Sequence, residues 1–167
     1  MLVVLVLMTV MLMGGIALAR MTEIGTMAAG NSLFREVSLQ ASEVGLNNAF
    51  AQVGALPDES LDSGGWYWST PQPVDAEGVP TINWAGVPAT NVGAYEVRVV
   101  AERLCSVAAV TDRLGQCLVA QKALPASKKV DPDPPDPPNA TQYRLTARVL
   151  GPKGTLTWVQ ALMTRGT

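Results

Sequence analysis

The sequence predicts an α+β protein: a long N-terminal helix, transmembrane at first and amphipathic afterwards, packed on a small antiparallel β-sheet. Three observations carry this expectation. Residues 1–19 are almost unbroken hydrocarbon, Arg20 ends the run, and no strong helix breaker follows before Pro57. Ala94 to Leu104 and Gln142 to Leu150 alternate apolar and polar residues with the period of two that half-buried strands show. Gly151-Pro152-Lys153-Gly154 is turn chemistry, and it leads into a third stretch rich in Thr and Val, Thr155 to Leu162. Residues 1–56 are therefore read as helix, and 57–167 as a β-rich head carrying a proline-rich loop at 125–139.

The 19-residue apolar run approaches the ~20 residues that cross a bilayer core as a helix. Thr9 and the Gly14-Gly15 pair are its only interruptions. Three readings compete. It is a permanent membrane helix, a secretory signal cleaved after Ala17-Leu18-Ala19, or the buried helix of a soluble core. No other segment could enclose so long an apolar rod, which disfavours the last. The signal reading is disfavoured because no basic segment stands ahead of the run and the helical pattern continues past Arg20. Gly14 and Gly15 each weaken a helix by ~1 kcal/mol relative to Ala, so the rod is expected to soften there.

Beyond the run, at 100° per residue, two apolar stripes emerge. Phe34, Val37, Ala41 and Val44 form one. Leu39, Leu46, Ala49, Phe50 and Val53 form the other. Leu39, Leu46, Phe50 and Val53 are expected to dock on the chain's own head, and the first stripe to contact a neighbouring subunit. A single stripe drifting around a curved helix would give the same pattern. As one helix, residues 1–54 would extend ~80 Å at ~1.5 Å per residue.

In the head, Gly and Pro punctuate Pro57 to Asn91 as loop with short extended pieces. Trp66, Trp68 and Trp84 lie in it. They are read as plugs between helix and sheet in preference to a binding surface. Cys117 to Ala120 is a further short strand candidate. Cys105 and Cys117 are expected to pair if the head lies in an oxidising compartment; two reduced, buried thiols are the alternative. Asp131, Asp133 and Asp136 sit in a run of prolines. These stiffen the chain and limit its wrapping around calcium, so the segment reads as a solvated connector.

Composition narrows the chemistry. Net charge is −2, from 12 basic and 14 acidic residues, with no basic field for nucleic acid. The chain has no histidine, the commonest general base and metal ligand. Two cysteines are too few for a zinc or iron–sulfur site. No phosphate-binding glycine loop occurs. No catalytic residue, cofactor or metal site is expected, and the chain is not read as an enzyme.

Several segments carry a resemblance. They are Ala19-Arg20, the short polar stretch to Met27, Met27-Ala28-Ala29-Gly30-Asn31, and Phe34-Arg35-Glu36-Val37-Ser38-Leu39-Gln40-Ala41-Ser42-Glu43-Val44-Gly45-Leu46. An apolar helix running into an amphipathic one of this kind, followed by a small β-rich head, resembles the type IV pilin superfamily. Within it, residues 1–55 are most similar to minor pilins of the PilX type. The terminal Tyr143-Arg144-Leu145-Thr146 strand, Gly-Pro turn and return strand resemble the ending of those proteins more loosely. The resemblance implies a structural subunit for pilus assembly or priming and tip-complex formation, serving adhesion and twitching motility. It implies contacts with other minor pilins and the major pilin through the N-terminal helix, a tip adhesin as partner, and inner-membrane lipid as the holding place before assembly. The head would be periplasmic and the assembled pilus at the cell surface.

The chain departs from that family in two ways. The short basic leader ending in Gly is not within the sequence, so processing by the prepilin route is an inference, and the upstream DNA is where it would be encoded. No acidic residue lies in the first 22 positions, where major pilins carry a Glu. Two other functions stay open: a pseudopilin of a type II secretion system, and a periplasmic binding module freed by cleavage after Ala19.

Overall fold

A computed structural model describes residues 1–119 and 140–165; the proline-rich loop, with its three aspartates, lies outside the described residues. One helix, α1, runs Leu2–Gly54. The chain divides into two compact units, Met1–Val37 and Ser38–Thr167, so α1 contributes to both.

The first unit is helix alone. Its most apolar 18-residue window has a mean hydropathy of 2.7, and by length and composition α1 could cross a membrane. From Leu2 to Ala19 every side chain is exposed. Thr9, Thr22 and Thr26 donate their hydroxyls to the carbonyls of Val6, Ala19 and Glu23, at 2.8, 2.7 and 2.8 Å. The polar positions are thus satisfied within the helix. Helical geometry continues through Gly14 and Gly15, and a Cβ at either would meet nothing within 4 Å.

The second unit packs the last part of α1, from Ser38, on a five-stranded sheet. The strands are β1 (Tyr67–Trp68), β2 (Ala89–Val92), β3 (Tyr95–Arg103), β4 (Thr141–Leu150) and β5 (Leu156–Arg165). Their order is β1-β3-β4-β5, with β2 also pairing β3. The β2–β3, β3–β4 and β4–β5 pairs are antiparallel. The sheet is mixed, however, and not wholly antiparallel as expected, because β1 runs parallel to β3. A tight reversal produces this. Gly64 and Gly65 take φ of 56° and 70°, conformations that favour glycine, and let Ser63 pair with Tyr67. Trp66 then enters alongside β3, its carbonyl accepting from Ala101 N–H at 2.8 Å.

Alternation places the strands as the sequence implied. Val97, Val99 and Ala101 face α1, as do their cross-strand partners Val149, Ala147 and Leu145. The core gathers Ala49 and Val53 of α1 with Tyr67, Ala101, Tyr143, Leu145 and Met163. Of the expected strand at Cys117 to Ala120, the described residues form single bridges, Cys105–Cys117 and Val119–Thr141, and Ala120 lies outside the described residues.

The docking face of α1 differs from expectation. Its buried residues are Ser38, Ala41, Ser42, Gly45, Ala49 and Val53. Val53 is fully buried and Leu46 packs at the core's margin. Leu39 and Phe50, assigned to docking, stay 37% and 53% exposed. Ala41, assigned to a neighbouring subunit, is buried in the head, while Val44 is 45% exposed and Phe34 and Val37 fall in the first unit. The physical reason is closeness. A Cβ on Gly45 would lie 2.5 Å from Val97 Cγ1 and 3.0 Å from Val99 Cγ2. A helix axis that near a sheet of β-branched residues admits only small side chains, so the large ones flank the seam.

Candidate functional site

Three surfaces merit a functional reading: the charged end of α1, the outer face of the sheet, and the exposed apolar residues of α1.

Pro57 cannot continue the helix, and α1 ends at Gly54. Arg165, the last residue of β5, closes that end. Its Nη1 donates to Val53 O at 3.0 Å and lies 2.9 Å from Glu59 Oε1. A cation at a helix C-terminus also complements the helix dipole. Arg103 Nη1 approaches the other Glu59 oxygen at 3.9 Å. Arg103 is buried and spends its remaining donors on Ser69 O at 3.1 Å, on Val107 O at 3.3 Å and on Ala108 O. The last two carbonyls belong to the loop closed by the disulfide Cys105–Cys117. That loop also contains a short helical turn, α2 (Arg113–Gln116), capped by Asp112.

Tyr67 lies beneath this cluster, its hydroxyl donating to Glu59 O at 2.7 Å. Burial pushes its pKa up to about 12, partly opposed by Arg103. Burial likewise raises Tyr143, reinforced by the Glu59 carboxylate beside it. A cleft of about 450 Å³ opens here between the start of the head and the disulfide loop, lined by Glu59, Arg103, Arg113 and Arg165 among others. Glu59 is held by two arginines, and both arginines are engaged with backbone carbonyls. The arrangement fastens helix end, loop and sheet together.

On the outer face, Glu102 is fully buried, with Oε2 2.8 Å from Arg144 Nε and Oε1 accepting Gln72 N–H at 2.7 Å. Arg98 Nη1 donates to the carbonyls of Trp84, Ala85 and Val87 at 2.8, 2.8 and 2.9 Å, drawing the loop before β2 onto the sheet. Trp84 meets Trp158 edge-on at 4.8 Å, and Arg148 lies 5.9 Å from the Trp158 ring. Of the loop tryptophans, Trp66 packs against the core beside α1, as expected. Trp84 plugs the opposite face instead. Among the described residues no group of three or more Cys, Asp or Glu could hold a metal ion.

The sequence reading missed Glu59, Arg103, Arg165 and the Glu102–Arg144 pair. Only the Glu102–Arg144 pair had a signal: both fall among the polar positions that alternate with apolar ones on β3 and β4. The expected disulfide is formed. The exposed apolar face of α1 remains the largest feature unexplained by the fold of the head. Compared with protein-family models, curated proteins and solved structures, the chain matches none.

Proposed function

We propose that this chain is a minor pilin: a non-catalytic subunit anchored in the inner membrane by residues 1–19 and entering or priming a type IV pilus through α1. One observation carries the reading. A single helix supplies both an apolar segment exposed along its length and a small-residue face docked on a β-rich, disulfide-closed head. An exposed hydrocarbon surface of this size needs a partner. Lipid would cover it before assembly, and neighbouring helices in the fibre afterwards, where van der Waals packing replaces the hydrophobic drive. The disulfide fits an oxidising periplasm. The partners follow from the same reading: other minor pilins and the major pilin through the helix, and a tip adhesin at the head.

The test is deletion and complementation in the source organism, with surface filaments counted by electron microscopy and the sheared fraction probed for the protein. Loss of filaments or of tip function, restored by the full chain, is expected, with the protein in the sheared fraction. Unchanged piliation, with the protein confined to the soluble periplasm, would contradict the proposal and favour the secreted binding module.

A further inference from the structure

Among the described residues, the sheet ends at β5 on the side where α1 flanks it. β5 is the terminal strand on its side of the sheet. Gln142 O accepts from Leu104 N–H, and Gln142 N–H donates to Leu118 O, so the even-numbered residues of β4 bond toward β3. By antiparallel alternation the odd-numbered ones bond toward β5, and the register then turns the amides of Leu156, Trp158, Gln160, Leu162 and Thr164 outward. Among the described residues no backbone group bonds to that edge.

Natural edges are guarded by charge, proline or bulges. From Leu156 to Thr164, β5 has none of the first two, and its register with β4 is unbroken. Beside this edge runs an apolar groove of about 510 Å³ between α1 and β5. Phe50 and Leu46 form its helix wall, Ala161 and Met163 its sheet wall. Phe50 stays 53% exposed although it belongs to the most heavily packed part of α1. Among the described residues that line the groove, Glu43 alone is charged.

We propose that β5 accepts an added β-strand from another polypeptide. The incoming segment hydrogen-bonds to the outward amides and carbonyls of β5. Its alternate apolar side chains enter the groove beneath Phe50 and Leu46, and a Lys or Arg at one end meets Glu43. Backbone pairing gives such docking its affinity, and the pockets for alternate side chains give it selectivity. The charge match at Glu43 specifies a basic, uncapped strand. A second copy of this chain is the poorer occupant. Antiparallel self-pairing of β5 would point the two copies of α1 in opposite directions, and the uncharged run from Leu156 to Thr164 offers nothing to Glu43.

The probe is a fluorescent peptide, Lys-Thr-Val-Thr-Val-Thr-Val-Thr-Val-Gly, titrated into the full chain in detergent micelles, alongside the same peptide with Glu in place of Lys. Saturable binding is expected, at least fivefold tighter for the Lys peptide, with that preference lost in Glu43→Gln. Leu162→Pro removes an outward amide without touching a β4 bond and should weaken binding at least tenfold; Phe50→Asp should do the same. Circular dichroism and an intact disulfide establish that both variants fold. Should either misfold, Leu162→Lys, exposed at the same edge, replaces it. Absence of binding by the wild-type chain overturns the proposal, as does binding unaffected by both variants. Micellar dimers that Leu162→Pro dissolves would also overturn it, making a second copy the occupant.

Discussion

Gly45→Ala puts the helix–sheet seam to the test. The new methyl would sit 2.5 Å from Val97 Cγ1 and 3.0 Å from Val99 Cγ2, against an ordinary carbon–carbon contact of about 3.5–4.0 Å. Roughly 1 Å must be found. Val97 is 1% exposed and lies on β3, which is paired with β2 and β4, so the sheet side cannot give way freely. Overpacking of this kind costs about 1–3 kcal/mol. Against it, Ala is the better helix former by up to ~1 kcal/mol. Because Val97 is buried between paired strands, the overpacking cost falls in the upper part of that range, about 2–3 kcal/mol, and the net loss is about 1–2 kcal/mol. All four tryptophans lie in the head, so urea unfolding of the full chain in micelles, followed by tryptophan fluorescence, reads the head directly. The midpoint should fall by roughly 0.5–1 M at a typical urea slope. Val97→Ala in the same background should recover part of the loss, giving a favourable coupling in the double-mutant cycle. Gly54→Ala, where a Cβ meets nothing within 4 Å, is the control and should change stability by less than ~1 kcal/mol. A Gly45→Ala protein as stable as wild type, or stabler, would refute the close-seam argument.

Three further outcomes are expected. Cys105→Ser with Cys117→Ser should cost about 2–3 kcal/mol, the chain-entropy value for a loop of sequence separation 12, measured by the same unfolding assay; an unshifted midpoint would contradict a stabilising role for the bond. Arg144→Met strands the buried Glu102 carboxylate and should cost about 3–5 kcal/mol, read by the same unfolding assay; an unshifted midpoint would contradict the pairing. The raised Tyr67 pKa makes the folded state hold a proton that the unfolded state releases. Its stabilising effect is complete below pH 10 and is lost between pH 10 and about 12, a fall of roughly 2–3 kcal/mol that Tyr67→Phe should reduce, read as urea midpoint against pH.

Much of this architecture could be read from residue order. A 19-residue hydrocarbon run has few fates, and the alternation in Tyr95–Arg103 and Thr141–Leu150 fixes which side chains face α1. What resisted reading was the docking face. Hydrophobic periodicity weights Leu39 and Phe50 heavily and gives Ser38, Ser42 and Gly45 no weight, yet close approach to Val97 and Val99 selects the small residues. β1 escaped for a different reason: a two-residue parallel pairing depends on the Gly64-Gly65 reversal and has no period of its own. Glu59, Arg103 and Arg165 are far apart in sequence, and only the fold brings them to the end of α1.

The central claim is that the apolar segment of α1 is kept and used in assembly. The most direct measurement is the intact mass of the protein recovered from sheared surface filaments, with and without reduction. A mass that includes residues 1–19, rising by about two hydrogens on reduction of the Cys105–Cys117 bond, is the predicted result. A protein found only in the soluble periplasm, with its terminus at Arg20, would contradict it.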